Sequence, residues 1–360
     1  MIGYIIGKMM GVEALVLLLP ALISLIYRED DYVFFLMTSV VLAVIYFLLA
    51  RKKPAESTIY GKEGLVIVAV AWVLWSIFGA IPFTISGNIP SYVDAFFETV
   101  SGFTTTGSTI LTEIQSLPKG ILFWRSLTHW IGGMGVLVFV MMLTSLDDKG
   151  AMHLMRAEVP GPEADKLVPK ARSTAKILYA MYFALTAVEV VFLLFGGMNL
   201  YDSVMHAFST AGTGGFSNRN VSVGYYDSAY IDGVITVFMI LFGINFNLYY
   251  LMLLKHFKEA FKNEELKTYL GIIAGAVAII TINISSMYGS VLKAFRYAAF
   301  QVASVITTTG FCTADYNLWP ELSKSVLLAI MVVGACAGST GGGIKVSRLV
   351  ILLKSVTQEI

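Results

Sequence analysis

Asp94–Gly107 reads DAFFETVSGFTTTG, Asp202–Gly215 reads DSVMHAFSTAGTGG and Tyr297–Gly310 reads YAAFQVASVITTTG. A Ser stands six residues before the closing Gly in each (Ser101, Ser209, Ser304), after an apolar stretch compatible with a helix and before a run of Thr and Gly. The repeated unit is therefore a loop. Long apolar runs flank every copy, which puts a Gly/Thr-rich loop at membrane depth. Irregular backbone survives there only where it is buried in protein or lines a cavity, so a cavity is the first functional expectation.

Hydrophobic residues make up 57% of the 360 and charged residues 14%, and mean hydropathy is +0.75. This is the composition of an integral membrane protein. Runs of about 20 apolar residues, the length that crosses a bilayer, fall at about 3–27, 31–50, 62–87, 121–146, 171–196, 229–254, 267–288 and 321–333 with its continuation. With the N-terminus inside, the inner segments (the N-terminal tip, 51–63, 147–176, 255–267 and 345–354) hold 18 of the 25 Lys and Arg. That bias predicts a cytoplasmic N-terminus, with all three loops entering from outside. The first stretch is too long for a signal-peptide core and reads as a retained span. Net charge of +1 says nothing about nucleic acid, and without a basic tract interleaved with aromatics no nucleic-acid partner is expected.

The chain divides into an N-terminal hairpin (1–55), a first pore unit (56–150), a cytoplasmic linker with a second unit (151–262) and a third unit (263–360). Each unit reads span, short helix, Thr/Gly loop, span, and the closing glycines recur 108 and 95 residues apart. The fold class expected is an all-α polytopic membrane protein. Span–loop–span units around an axis build a cation pore, in which loop carbonyls replace the ion's water shell and each short helix aims its negative end at the site. Glycine permits the torsions this needs. Close helix packing is the alternative use of small residues in a span, but three copies in register favour the pore.

FTTTGSTI (103–110), GGFSN (214–218), ITTTGF (306–311) and GACAGSTGGGIKVSR (334–348) resemble the Trk/Ktr/HKT superfamily of potassium transporters, and with the N-terminal hairpin they are similar to its TrkH-type membrane subunit. The resemblance covers essentially the whole chain. It implies four units around one pore, with filter residues Thr105, Thr106, Gly107 and Ser108; Thr213, Gly214, Gly215 and Phe216; and Thr308, Thr309, Gly310 and Phe311. It further implies a homodimer and a cytoplasmic nucleotide-binding regulatory subunit (TrkA-like), for which segments 147–176 and 255–267 are the expected contact surfaces. No cofactor is expected, and potassium is the substrate.

The run Gly334–Gly343 fails as a phosphate-binding loop. Lys345 comes one residue late, Val346 stands where Ser or Thr is needed, and an apolar helix precedes the run rather than a strand. It also lies too close to Gly310 to be another filter loop. It reads as a break inside the third unit's second span, between half-helices at about 321–333 and 346–360. The resemblance makes it an intramembrane gate of Gly338, Ser339, Thr340, Gly341, Gly342, Gly343 and Lys345. Were it only a packing kink, Lys345 would snorkel to the inner interface.

Only 50 residues follow Gly310, against about 100 for one repeat. A fourth unit is therefore expected to be missing, as in a truncated or split product; the alternative is a non-conducting or regulatory component that needs a separate chain. Asp94 and Asp202 are expected to cap their helices. Glu98, His206 and Gln301 align behind the filter and are expected to support it by hydrogen bonding. Cys312 and Cys336 have no pairing logic, His129, His153 and His256 lack metal-ligand spacing, and no nucleophile–base set points to an enzyme. The sequence thus predicts potassium uptake across a prokaryotic plasma membrane. Its one-glycine loops, without the longer TVGYG text, are expected to admit some sodium.

Overall fold

The computed structural model describes residues 2–51, 61–135 and 171–359. Of the linker expected at 147–176, residues 147–170 lie outside them, as does the end of the span expected to reach 146. Helices are α1 (Ile2–Val16), α2 (Leu18–Ile26), α3 (Tyr32–Ala50), α4 (Gly61–Ile85), α5 (Tyr92–Phe103), α6 (Lys119–Met134), α7 (Ala171–Phe195), α8 (Leu200–Ala211), α9 (Ala229–Phe242), α10 (Phe246–Leu253), α11 (Phe257–Lys262), α12 (Glu264–Tyr288), α13 (Val291–Ile306), α14 (Glu321–Val333) and α15 (Val346–Glu359). The described residues contain no strand.

Ile2–Ile26, Tyr32–Ala50, Lys62–Ile85, Ser173–Phe195 and Glu264–Tyr288 are long and apolar enough to cross a membrane. The first is interrupted at Leu17 because Pro20 has no N–H to donate to Val16. The run expected to cross unbroken at 229–254 does not: α9 and α10 meet at a 90° bend. α5, α8 and α13 have 12, 12 and 16 residues, too short to cross at 1.5 Å per residue, and they are the short helices that carry the repeated loops.

The chain forms two compact units, one up to residue 180 and one from residue 181. In the first, Phe103 at the end of α5 sits edge-on between Trp75 of α4 and Trp124 of α6, with centroids 5.5 and 5.9 Å away. Trp124 Nε1 donates to the Gly79 carbonyl at 2.9 Å. This buried aromatic layer anchors the loop that follows Phe103. In the second unit, Val302 and Ile306 of α13 pack in one core cluster with Ile280 and Ile284 of α12 and Leu327 and Ile330 of α14. The opposite side of α13, at Phe300 and Ala303, packs against Ile235 and Met239 of α9.

Candidate functional site

All three short helices end in one backbone motif. Thr106 N–H donates to Ser101 O at 2.9 Å, Gly214 N–H to Ser209 O at 2.9 Å and Thr309 N–H to Ser304 O at 2.8 Å. Each preceding residue closes a tighter turn: Thr105 to Gly102, Thr213 to Thr210 and Thr308 to Val305, each at 3.0 Å. This pairing is a Schellman helix end, whose left-handed position is usually glycine. Here it is threonine, with φ of 53°, 51° and 59° at Thr105, Thr213 and Thr308. A β-branched residue held there stores about 1–2 kcal/mol in each turn. Two residues on, Gly107, Gly215 and Gly310 are also left-handed, at 75°, 79° and 84°. Positive φ therefore alternates with negative φ across each turn, a pattern that brings successive carbonyls toward one side instead of the alternating sides of a strand.

The side chains hold these turns in parallel ways. Ser101 Oγ donates to Ser108 O at 2.6 Å and Ser304 Oγ to Phe311 O at 2.7 Å. The Thr104 and Thr106 hydroxyls lie 2.8 Å apart and those of Thr307 and Thr309 2.7 Å apart. The second copy has Gly212 and Gly214 at both places, so the pair is present or absent as a unit. The residues aligned behind the loops also recur in function, each reaching the segment just past its turn. Glu98 accepts from Thr109 Oγ1 and Ile110 N–H, at 2.8 and 3.2 Å, and pairs with buried Arg125 at 2.5 Å. His206 Nε2 meets Ser217 Oγ at 3.0 Å, and Gln301 Nε2 donates to Ala314 O at 3.4 Å.

The expected capping by Asp94 and Asp202 is corrected. Ser91 and Asn199 are the N-caps, accepting from the N–H groups of Asp94 and Asp202. Asp94 remains in the first turn of α5, while the Asp202 carboxylate turns to the outgoing loop. It takes Asn218 Nδ2 at 2.5 Å, Arg219 Nη2 at 2.7 Å and the Tyr226 hydroxyl at 2.7 Å. Burial lowers the Arg219 pKa, and its bonds to Asp202 and Tyr226 outweigh that and raise it; burial and the same bond to Asp202 raise that of Tyr226.

Within the second unit, the loops after α8 and α13 touch backbone to backbone. A Cβ on Gly215 would overlap the Thr309 carbonyl. The Gly-rich run between α14 and α15 packs against both. Thr213 Oγ1 lies 2.9 Å from Thr340 O, and Gly342 N–H donates to Thr308 Oγ1 at 2.7 Å. Its other flank meets the bend between α9 and α10: Cys336 N–H donates to Gly243 O at 3.0 Å, Thr340 Oγ1 to Phe242 O at 3.2 Å, and Phe246 N–H to Gly338 O at 3.0 Å. The break between α9 and α10 and the Gly-rich run between α14 and α15 thus satisfy each other's free helix-end groups. Lys345 does not snorkel. It is 4% exposed and its ammonium donates back into the run, to Gly341 O.

Sequence reasoning missed the α9–α10 bend and the role of Glu265. The only local signal for the bend is Asn245, whose side chain caps α10 by accepting from Asn247 N–H at 2.9 Å. Among the described residues no three His, Cys, Asp or Glu side chains converge as metal ligands, and Cys312 and Cys336 are free thiols.

Apolar spans, short helices that end in repeated Thr/Gly turns, and a Gly-rich break packed against two of those turns define a polytopic membrane transport protein. The family model for TrkH, described as a cation transport protein, matches residues 32–360. The Trk system potassium uptake protein TrkH of Salmonella typhimurium is 37% identical over 99% of this chain and 75% of its own length. TrkG of Escherichia coli, also a Trk system potassium uptake protein, is 32% identical over 100% of this chain and 75% of its own. The crystal structure of the potassium transporter TrkH from Vibrio parahaemolyticus superposes with a TM-score of 0.89 at 32% identity, covering 99% of this chain and 75% of that one. The chain belongs to the TrkH family of cation transport proteins: it is a multi-pass membrane transporter and not an enzyme.

Proposed function

We propose that this chain carries potassium into a prokaryotic cell across its inner membrane, through a filter built from its repeated loops. The observation that carries this reading is the recurrence of one strained turn, Thr105 to Gly107, Thr213 to Gly215 and Thr308 to Gly310, with left-handed φ at both ends each time. Strain repeated in register is retained where geometry serves function, and carbonyls turned to one side are what a dehydrated cation needs. Ser108, Phe216 and Phe311 complete the proposed filter. The family relatives named for potassium uptake support the choice of ion.

The run Gly338–Gly343 with Lys345 is proposed as the gate, since it hangs from two filter threonines. The Lys and Arg distribution supports a cytoplasmic N-terminus. A homodimer and a TrkA-like nucleotide-binding subunit are the proposed partners, the latter meeting segments 147–176 and 255–267.

Expression in a strain lacking its own potassium uptake systems tests the reading. Growth at low potassium and rubidium uptake are expected to be restored, and Gly310→Ser is expected to erode selection against sodium. A chain extended by a fourth span–loop–span unit, run in parallel, tells whether these three units suffice. Failure of both chains, or unchanged selectivity in Gly310→Ser, overturns the proposal.

A further inference from the structure

Glu265 lies in the first turn of α12, far from the filter in sequence and about 35 Å along the helix axis from Tyr288. Its Oε1 accepts two backbone N–H groups, from Ala337 at 2.7 Å and from Ser347 at 3.0 Å. These two residues bracket the Gly-rich run, so one carboxylate oxygen ties together both ends of a loop whose middle hangs from Thr213 and Thr308. The bond to Ser347 also places the carboxylate at the start of α15, where the helix dipole favours negative charge. The adjacent Glu264 pairs with Lys354 about two turns further along α15. The first turn of α12 thus grips both the loop and the helix that leaves it.

The remaining bonds on the run come from neutral hydroxyl, amide and carbonyl groups, apart from the internal one made by Lys345. Bonds to a charged acceptor are about twice as strong. Displacing the loop as a body must separate Ala337 or Ser347 from Glu265, whereas a shift of the first turn of α12 releases both at once.

We propose that Glu265 is the positioning residue that latches the Gly-rich loop closed, and that the corner between α11 and α12 is the handle by which a movement at that end of the protein releases it. The proposal rests on the gate assignment above and adds the element that controls it.

Hydrogen–deuterium exchange on the purified full chain tests the latch without any transport. Glu265→Ala is expected to speed amide exchange across 336–347 by about tenfold, with Glu265→Gln, which keeps an acceptor but not the charge, falling between it and the parent. Exchange in the interior of α12 and at 304–311 is expected to stay as in the parent. Glu264→Gln, which removes only the exposed pair with Lys354, is expected to leave the loop protected. Rubidium flux into liposomes is expected to rise several-fold in Glu265→Ala. Unchanged exchange at 336–347, an increase spread equally over α12 and the filter turns, or an equal effect of Glu264→Gln overturns the latch. Faster exchange with unchanged flux overturns its role in transport. No flux in any variant, the parent included, overturns the uptake reading instead, and exchange still decides the latch.

Discussion

Thr213 Oγ1 stands 2.9 Å from the carbonyl of Thr340 and 2.7 Å from that of Gly212. A strained turn and the Gly-rich loop therefore share one hydroxyl proton. Thr213→Val keeps the shape and removes the proton, leaving Thr340 O without this donor at a depth where water is scarce. The expected cost is about 1–3 kcal/mol, read as a lower thermal midpoint in detergent, together with faster exchange at 338–342. An unchanged midpoint and unchanged exchange would show that the hydroxyl carries no load.

Glu98 and Arg125 form the ion pair behind the first turn, with side chains 0% and 2% exposed. Removing one member of a buried pair costs about 3–5 kcal/mol, whereas replacing both with apolar groups is often near neutral. Glu98→Ala is expected to abolish folded, monodisperse protein in size-exclusion chromatography. Glu98→Leu combined with Arg125→Met is expected to recover most of the fold but not the anchoring of Thr109 and Ile110. Equal losses in the single and double variants would contradict this account.

Gly215 and Gly310 share a left-handed φ but differ in surroundings. A Cβ on Gly310 meets nothing within 4 Å, so Gly310→Ala pays only the torsional cost of about 1–2 kcal/mol. On Gly215 the new atom runs into the Thr309 carbonyl, so the two loops must part. Gly310→Ala is expected to fold and transport with altered selectivity, and Gly215→Ala to lose transport. Rubidium and sodium uptake by the two variants make the comparison, and the reverse order would disprove it.

Asp202 gathers Asn218, Arg219 and Tyr226 onto one carboxylate. Asp202→Asn is expected to weaken the segment past the second turn, raising exchange at 217–226 while α8 stays protected. Arg219 is also stacked on Tyr225, 4.2 Å from the ring centroid, so Tyr225→Ala is expected to add to the effect. Exchange that rises in α8 instead would return Asp202 to the capping role expected of it.

Repetition made the three turns legible. Ser101, Ser209 and Ser304, the Thr/Gly runs and the aligned Glu98, His206 and Gln301 share one spacing, and hydrogen bonds between residues 7 to 13 apart leave their mark on local text. The exception is instructive: Ser209 Oγ is buried without a hydrogen bond, although its position matches Ser101 and Ser304. Identical text does not guarantee an identical bond.

Apolar length and loop repetition were enough to establish a polytopic helical membrane protein with a recurring Thr/Gly turn, because each is a property of contiguous chain. The bend at Gly243 to Asn245, the burial of Lys345 and the grip of Glu265 on Ala337 and Ser347 came only with the tertiary structure. A span can break inside an apolar run when its freed carbonyls and N–H groups find partners, and here those partners lie about 90 residues further along the chain. A carboxylate likewise takes its meaning from the groups it meets, and Glu265 meets its two across 72 and 82 residues.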